Sequence, residues 1–152
     1  MHTRQTISLQ QGHGSDSLFF SILIPDEPIQ EGKETPLLVI DWELCQVGQP
    51  GVDIGEMLAE MYALWRYKSI TAGLWMMEGF AKGYAEGSEA SVFRTAIQMG
   101  THLLCVTTDV SWGTPEQVED VVRAGRDIIV HAWKKDRAWF EESGLGCLFG
   151  AC

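Results

Sequence analysis

An α+β protein, a short antiparallel β-hairpin packed on a mainly α-helical lobe, is the fold class this sequence predicts. Three observations carry that prediction. Two β-rich apolar runs, "LFFSILI" and "LLVID", lie near the start, separated by a polar, proline-bearing connection. From Asp53 onward the apolar residues recur three and four apart, the helical period. A lone two-stranded hairpin is only marginally stable, so the helices are its available support. At 152 residues the chain is about one domain long.

The first 17 residues or so are polar and turn-rich and read as a loop or a poorly ordered start. Strand one, Leu18 to Ile24, stops at Pro25-Asp26, where the missing N–H cannot continue a ladder. The connection "PDEPIQEGKETP" holds three of the five prolines and leads to strand two, Leu37 to Asp41, so the hairpin spans residues 18 to 43. The helical region is expected over 53 to 143. Ile54, Met57, Leu58, Met61 and Trp65 form one apolar stripe, with Glu56, Glu60 and Arg66 off it and Asp53 placed as the cap. A second helix is expected over Ser69 to Tyr84, and a third from Ser88 to about Thr107. The last helix has the clearest start: "TPEQ" puts Thr114 at the N-cap, Pro115 at the first helical position and Gln117 within reach of the cap. Its register runs through Val118, Val121, Ile128, Trp133 and Phe140 to about Glu142, and the Gly-rich residues after Gly144 read as a short tail.

Composition excludes several classes of function. Twenty-one acids against eleven bases give a formal net charge of −10, and no Lys/Arg stripe could neutralise phosphates along a nucleic acid. No apolar run reaches the ~18 residues of a membrane span, and the N-terminus lacks the apolar middle of a signal peptide. Neither nucleic acid nor a membrane is an expected partner, and the cytoplasm is the expected compartment. Cys45, Cys105, Cys147 and Cys152 show no C-x-x-C pair and no zinc spacing, so they read as thiols.

The chemistry-bearing stretch is "LLVIDWELCQVGQPGVD". A buried strand that ends abruptly on Asp41-Trp42-Glu43 sets a carboxylate where the strand meets water. Asp41 and Glu43 point to one side of a strand and Trp42 to the other, which suits a hard cation such as Mg²⁺; solvated acids at a strand end explain the spacing equally well. Asp16 stands just ahead of strand one, and a hairpin would bring its loop beside the end of strand two.

These residues resemble the aminoglycoside phosphotransferase and choline kinase family, which shares the protein-kinase-like fold. In that family a loop H-G-D-x-x-x-x-N leads into one strand, and a second strand ends in I-D-W-E before a G-x-P-x-x-D segment that opens a helix. "VIDWE" (Val39 to Glu43) and "GQPGVDIGEML" (Gly48 to Leu58) match the second part. The resemblance implies ATP and Mg²⁺ as cofactors, with Asp41 the metal and nucleotide-phosphate ligand and Asp53 a structural acid at its helix. The first part departs from the pattern: His13-Gly14-Ser15-Asp16 carries one residue more than H-G-D. With Asp16 as the catalytic loop acid, Ser21 stands where the family has Asn among the cofactor-binding residues.

The resemblance covers residues 12 to the end, so a single domain like the carboxy-terminal lobe alone is expected, without the nucleotide-binding amino-terminal lobe. Two functions follow from it. One is an ATP-dependent phosphotransferase lobe, truncated, acting on a hydroxyl of a small metabolite. The other is a catalytically inactive remnant serving as a binding or interaction module. Either would leave apolar surface that favours self-association. Elsewhere the bland readings prevail: His102 and His131 as packed or surface imidazoles, Trp65, Trp75, Trp133 and Trp139 as packing, and Glu56, Glu60, Asp120 and Glu141 as a solvated acidic surface.

Overall fold

The structure is a computed structural model that describes residues 6–8, 21–23, 30, 32–34, 38–40, 49–84, 88–109 and 112–150. The chain divides into two compact units, Met1–Val47 and Gly48–Cys152. In the first, three strands of three residues each, β1 (Thr6–Ser8), β2 (Ser21–Leu23) and β3 (Leu38–Ile40), form one antiparallel sheet in the order β1-β2-β3. Ser21 lies opposite Ile40, Ile22 opposite Val39 and Leu23 opposite Leu38.

The second unit corrects the expected fold class. Its core is built by helices alone: the buried hydrophobic residues described run from Leu58 to Leu145, and each lies on a helix or at a helix end. This lobe is therefore all-α, where an α+β domain was expected. The physical reason is that several amphipathic helices bury their apolar faces against one another, so no sheet is needed to close the core.

Helix α1 (Pro50–Lys68) begins earlier than its apolar stripe suggests, because Pro50 has its φ preset for the first turn and Gln49 serves as N-cap. The expectation that Asp53 caps this helix is corrected: Asp53 lies inside the first turn, where a carboxylate favours the positive end of the helix. The helix stops at Ser69, which takes the left-handed conformation at φ 54° while Ile70 N–H reaches back to the Leu64 carbonyl at 3.3 Å. Helices α2 (Ala72–Gly83) and α3 (Glu89–Cys105) follow, the latter capped by the Ser88 hydroxyl accepting from Ser91 N–H at 3.3 Å.

Helix α4 (Pro115–Trp133) starts as its sequence dictates. Thr114 Oγ1 accepts from Gln117 N–H at 3.4 Å, and Gln117 Oε1 accepts from Thr114 N–H at 2.8 Å, a complete capping box. The Gln117 amide also donates from Nε2 to the Tyr67 carbonyl at 3.0 Å, which ties the start of α4 to the end of α1. Beside it the buried Tyr67 hydroxyl donates to the Thr107 carbonyl at 3.2 Å.

Where one long helix was expected to reach Glu142, the chain breaks after Trp133. Lys135 turns left-handed at φ 55°, and Asp136 caps a separate α5 (Arg137–Glu142). The tail beyond Gly144 is a 3₁₀ helix, Gly146–Phe149, rather than a featureless end. Phe149 packs against Phe93 and Phe140 with ring centroids 5.0 and 5.4 Å apart, and Phe140 is fully buried. Truncating a ring so placed costs about 3–5 kcal/mol.

Helices α3 and α4 approach most closely at a pair of glycines. A Cβ on Gly100 would stand 2.6 Å from the Gly125 carbonyl oxygen, and one on Gly125 would stand 2.9 Å from the Gly100 carbonyl oxygen. Backbone therefore lies on backbone at this crossing, and a methyl at either position forces the helices apart at a cost of about 1–3 kcal/mol.

Candidate functional site

The helical unit carries an open cleft of about 1180 Å³ where the beginnings of α1 and α3, the end of α2, and the 3₁₀ helix meet. The local sequence explains its shape. Pro50-Gly51 starts α1 with no side chain beyond the ring at that edge, and Thr95 Oγ1 fills the space a Cβ on Gly51 would need, at 2.9 Å. Ile54, Leu58, Val92, Leu148 and Phe149 give the cleft an apolar wall, and Tyr84 forms part of its rim, its ring 4.9 Å from that of Phe80.

Polar groups are few and distributed around that wall: Ser88, Ser91, Thr95 and Gln98 from α3, and the charged Glu89, Arg94 and Arg137. Arg137 is already engaged, its Nε donating to Glu141 Oε1 at 2.8 Å and its guanidinium lying 5.5 Å from the centroid of Phe149. The α1 and α3 amino-terminal ends both open onto the cleft, so its mouth carries their positive partial charge.

A second polar constellation bridges α1 and α3. His102 Nε2 lies 2.6 Å from Glu60 Oε1, with the imidazole buried and the carboxylate mostly so. Glu60 Oε2 is buried and has no hydrogen-bond partner among the described residues. One turn earlier, Gln98 Nε2 stands 3.5 Å from Glu56 Oε1. Burial raises the Glu56 carboxyl above the ordinary carboxylate range, opposed by the nearby His102. Glu60 is therefore not the solvated surface acid its sequence position suggested. Asp120 and Glu141, read the same way, are held by Arg66 and Arg137.

The residues singled out from the sequence fall differently. Asp16 and Asp41 lie outside the described residues, as do His13, Trp42 and Glu43. Ser21 is in β2, where pairing sets its backbone opposite Ile40, the residue before Asp41. Asp53 is exposed on α1, between the cleft residues Val52 and Ile54. Among the described residues no group of three His, Cys, Asp or Glu could hold a metal ion, so a Mg²⁺ site finds no support in the helical unit itself. No helix among them is long and apolar enough to cross a membrane. Sequence reasoning missed Arg94 and Arg137 because the cleft joins elements far apart in the chain. The only local signal was two arginines close to runs of wall-forming apolar residues.

Comparison with known proteins adds a class and then particular relatives. Curated proteins named as phosphotransferases or kinases match this chain over most of its length. Phosphotransferase FrzJ of Cladobotryum sp is 33% identical over 138 residues, which is 90% of this chain and 36% of that protein. The 4-hydroxytryptamine kinases of Psilocybe cyanescens and Psilocybe cubensis are 28% and 26% identical, covering 68% and 82% of this chain and 29% and 34% of theirs. The chain thus spans about a third of the length of the curated relatives it matches. No family model matches, and neither does any solved structure.

Proposed function

We propose that this chain is the acceptor-binding and catalytic lobe of an ATP-dependent phosphotransferase acting on a hydroxyl of a small molecule. The observation that carries the reading is the match to phosphotransferase FrzJ, whose 138 residues in a chain of 152 necessarily include Asp41 to Leu58, where the strand, acid, turn and helix follow in family order. The helical unit, taken by itself, offers a cleft with an apolar wall for the body of a small molecule and polar side chains for its substituents.

In this reading Asp41 would hold Mg²⁺, and the charge of that ion would supply neutralisation of the nucleotide phosphates. Asp16 orients the acceptor hydroxyl and takes its proton. The hydroxyl oxygen bonds to the γ-phosphorus as the bond to the bridging oxygen breaks, and ADP leaves. Ser21 would take the place of the family's amide beside the phosphates. Catalysis of this kind relies on positioning and charge neutralisation, so binding is the property to test before rate. The names of the Psilocybe relatives favour an aromatic hydroxyl as the acceptor. The cytoplasm is the compartment this reading assumes.

Titration calorimetry of the purified chain with ATP, with and without Mg²⁺, tests the proposal alongside Asp41→Ala. Saturable binding that requires Mg²⁺ and disappears in the variant is the expected result. A folded protein that gives no heat with Mg²⁺–ATP would overturn it.

A further inference from the structure

We propose that Thr95 and Gln98, neighbours on one face of α3, form an uncharged hydrogen-bonding site in the cleft, and that it recognises a neutral donor, a hydroxyl or a ring N–H, on an apolar body. Calling that ligand the acceptor rests on the phosphotransferase reading, while the site itself is built from residues of the helical unit alone. The first observation is an idle hydroxyl. Thr95 is 9% exposed and lines the cleft, and its Oγ1 has no hydrogen-bond partner among the described residues. Thr101, Thr107 and Thr108, on α3 and the turn after it, each donate instead to the carbonyl four residues back, at 2.8 to 2.9 Å. The Thr95 hydroxyl lies against Gly51, 2.9 Å from where a Cβ would stand. It is not sealed in the core, since the closed-off, unpartnered side-chain atoms among the described residues are Glu60 Oε2 and Arg66 Nε. Its oxygen therefore opens onto the cleft that Thr95 lines.

The second observation is an oriented amide. Gln98 lies over Gly55, where a Cβ would stand 2.8 Å from the Gln98 Cβ and 3.0 Å from its Cγ, so its stem rests on the α1 backbone. Gln98 Nε2 is 3.5 Å from Glu56 Oε1. An ionised carboxylate only accepts, so the amide turns its nitrogen to Glu56 and keeps Oε1, which has no partner among the described residues, as an acceptor. The third observation is how the two are seated. Gly51 and Gly55 are four apart on α1 and Thr95 and Gln98 three apart on α3, so each pair shares a helix face, and the missing methyls on one face make room for the polar side chains on the other. The serine hydroxyls of the cleft are already spent: Ser88 Oγ accepts from Ser91 N–H, and Ser91 Oγ donates to the Ser88 carbonyl at 2.7 Å. A ligand donor placed at Thr95 and Gln98 replaces the water that would otherwise satisfy them, and a ligand without one forfeits those bonds.

The test uses two probes of one shape, indole and benzofuran, in which a ring N–H is exchanged for an oxygen that can only accept. Each is titrated into the full chain, without ATP or Mg²⁺, and followed by two-dimensional NMR. Indole is expected to bind about three- to tenfold more tightly, the range of one neutral hydrogen bond, and to move the Gln98 side-chain amide signal. Gln98→Met, which keeps the stem and loses the oxygen, is expected to erase that preference. Thr95→Val is expected to weaken indole binding and to leave the melting midpoint unchanged or raised, because the hydroxyl has no bond in the folded chain to lose. The assignment would be overturned by indole that shows no saturable binding or binds no better than benzofuran, or by a preference that survives Gln98→Met. A Thr95→Val variant that binds indole as the parent does, or that melts lower, would overturn it too, since the hydroxyl would then be idle or structural. No nucleotide enters these measurements, so their failure and failure of the Mg²⁺–ATP titration are separate results.

Discussion

The helical lobe holds two imidazole–carboxylate pairs of nearly the same chemistry, one between α1 and α3 and one at the joint of α4 and α5. Glu60 and His102 meet at 2.6 Å between α1 and α3, with the imidazole buried. His131 and Asp136 meet at 2.9 Å at the joint of α4 and α5, both partly in water. In the outer pair both carboxylate oxygens are engaged. Asp136 Oδ2 faces His131 Nδ1, Asp136 Oδ1 accepts from Trp139 N–H at 3.3 Å, and the imidazole stacks on Trp139 at 4.3 Å, nearly parallel. The inner pair leaves Glu60 Oε2 buried and, among the described residues, unpartnered. The difference teaches that these pairs have different work: the inner one fixes how two core helices meet, and the outer one ends one helix and starts the next.

The comparison breaks first at the inner pair. Glu60→Ala should cost about 3 kcal/mol, because it leaves a buried imidazole without its partner. Replacing both residues by leucine should bring stability back to within about 1 kcal/mol of the parent, because the desolvation cost goes with the pair. Chemical denaturation of Glu60→Leu, His102→Leu and the double leucine variant measures the coupling, and an additive double would show that the pair is not coupled.

A smaller effect is expected beside it. Burial lifts the Glu56 carboxyl above its ordinary value of 4.5, so the folded state holds that proton more tightly than the unfolded chain does. Ionised Glu56 therefore costs stability once the pH is above the raised value, and costs nothing below 4.5. Glu56→Gln should raise the melting midpoint at pH 7 by less than Glu60→Ala lowers it. The gain should vanish below pH 4.5, and a gain independent of pH would point to packing instead.

The smallest effect, of opposite sign in pH, belongs to the outer pair. The His131 hydrogen bond, and then the Trp139 N–H, hold the Asp136 carboxyl below its ordinary value of 3.8. The stability it contributes is present in full above 3.8 and is lost as the pH falls through the lower folded value. Asp136→Asn should therefore be slightly less stable than the parent at pH 6, with the two converging in strong acid. Thermal melts across that range would reveal any failure to converge.

What the sequence revealed of this lobe was local. The Thr114, Pro115 and Gln117 cap is written in four consecutive residues and stands as read. The break at Lys135 was hidden because Trp133 and Phe140 keep the helical interval on either side of it. Leu145 and Phe149 joined the core from a tail whose glycines suggested a loose end. Glu60 and His102 are 42 residues apart, a contact that no periodicity reports. Within the helical unit the apolar faces of the helices pack on one another, as their periodic stripes predict. Of the candidate site, the motif around Asp41 was legible because its residues are consecutive. The cleft was not, since four separated elements build it.

A capping box ordinarily accepts glutamate or glutamine at its third helical position, since both carry the oxygen that receives the N-cap proton. Here the same side chain must also give a proton to Tyr67, and only an amide has both ends. Position 117 is thereby narrowed to one residue out of the usual two. A glutamate there would close its own helix correctly and turn a carboxylate oxygen against the carbonyl that ends the neighbouring one, so two rules of local structure, each tolerant alone, become strict where they share an atom group.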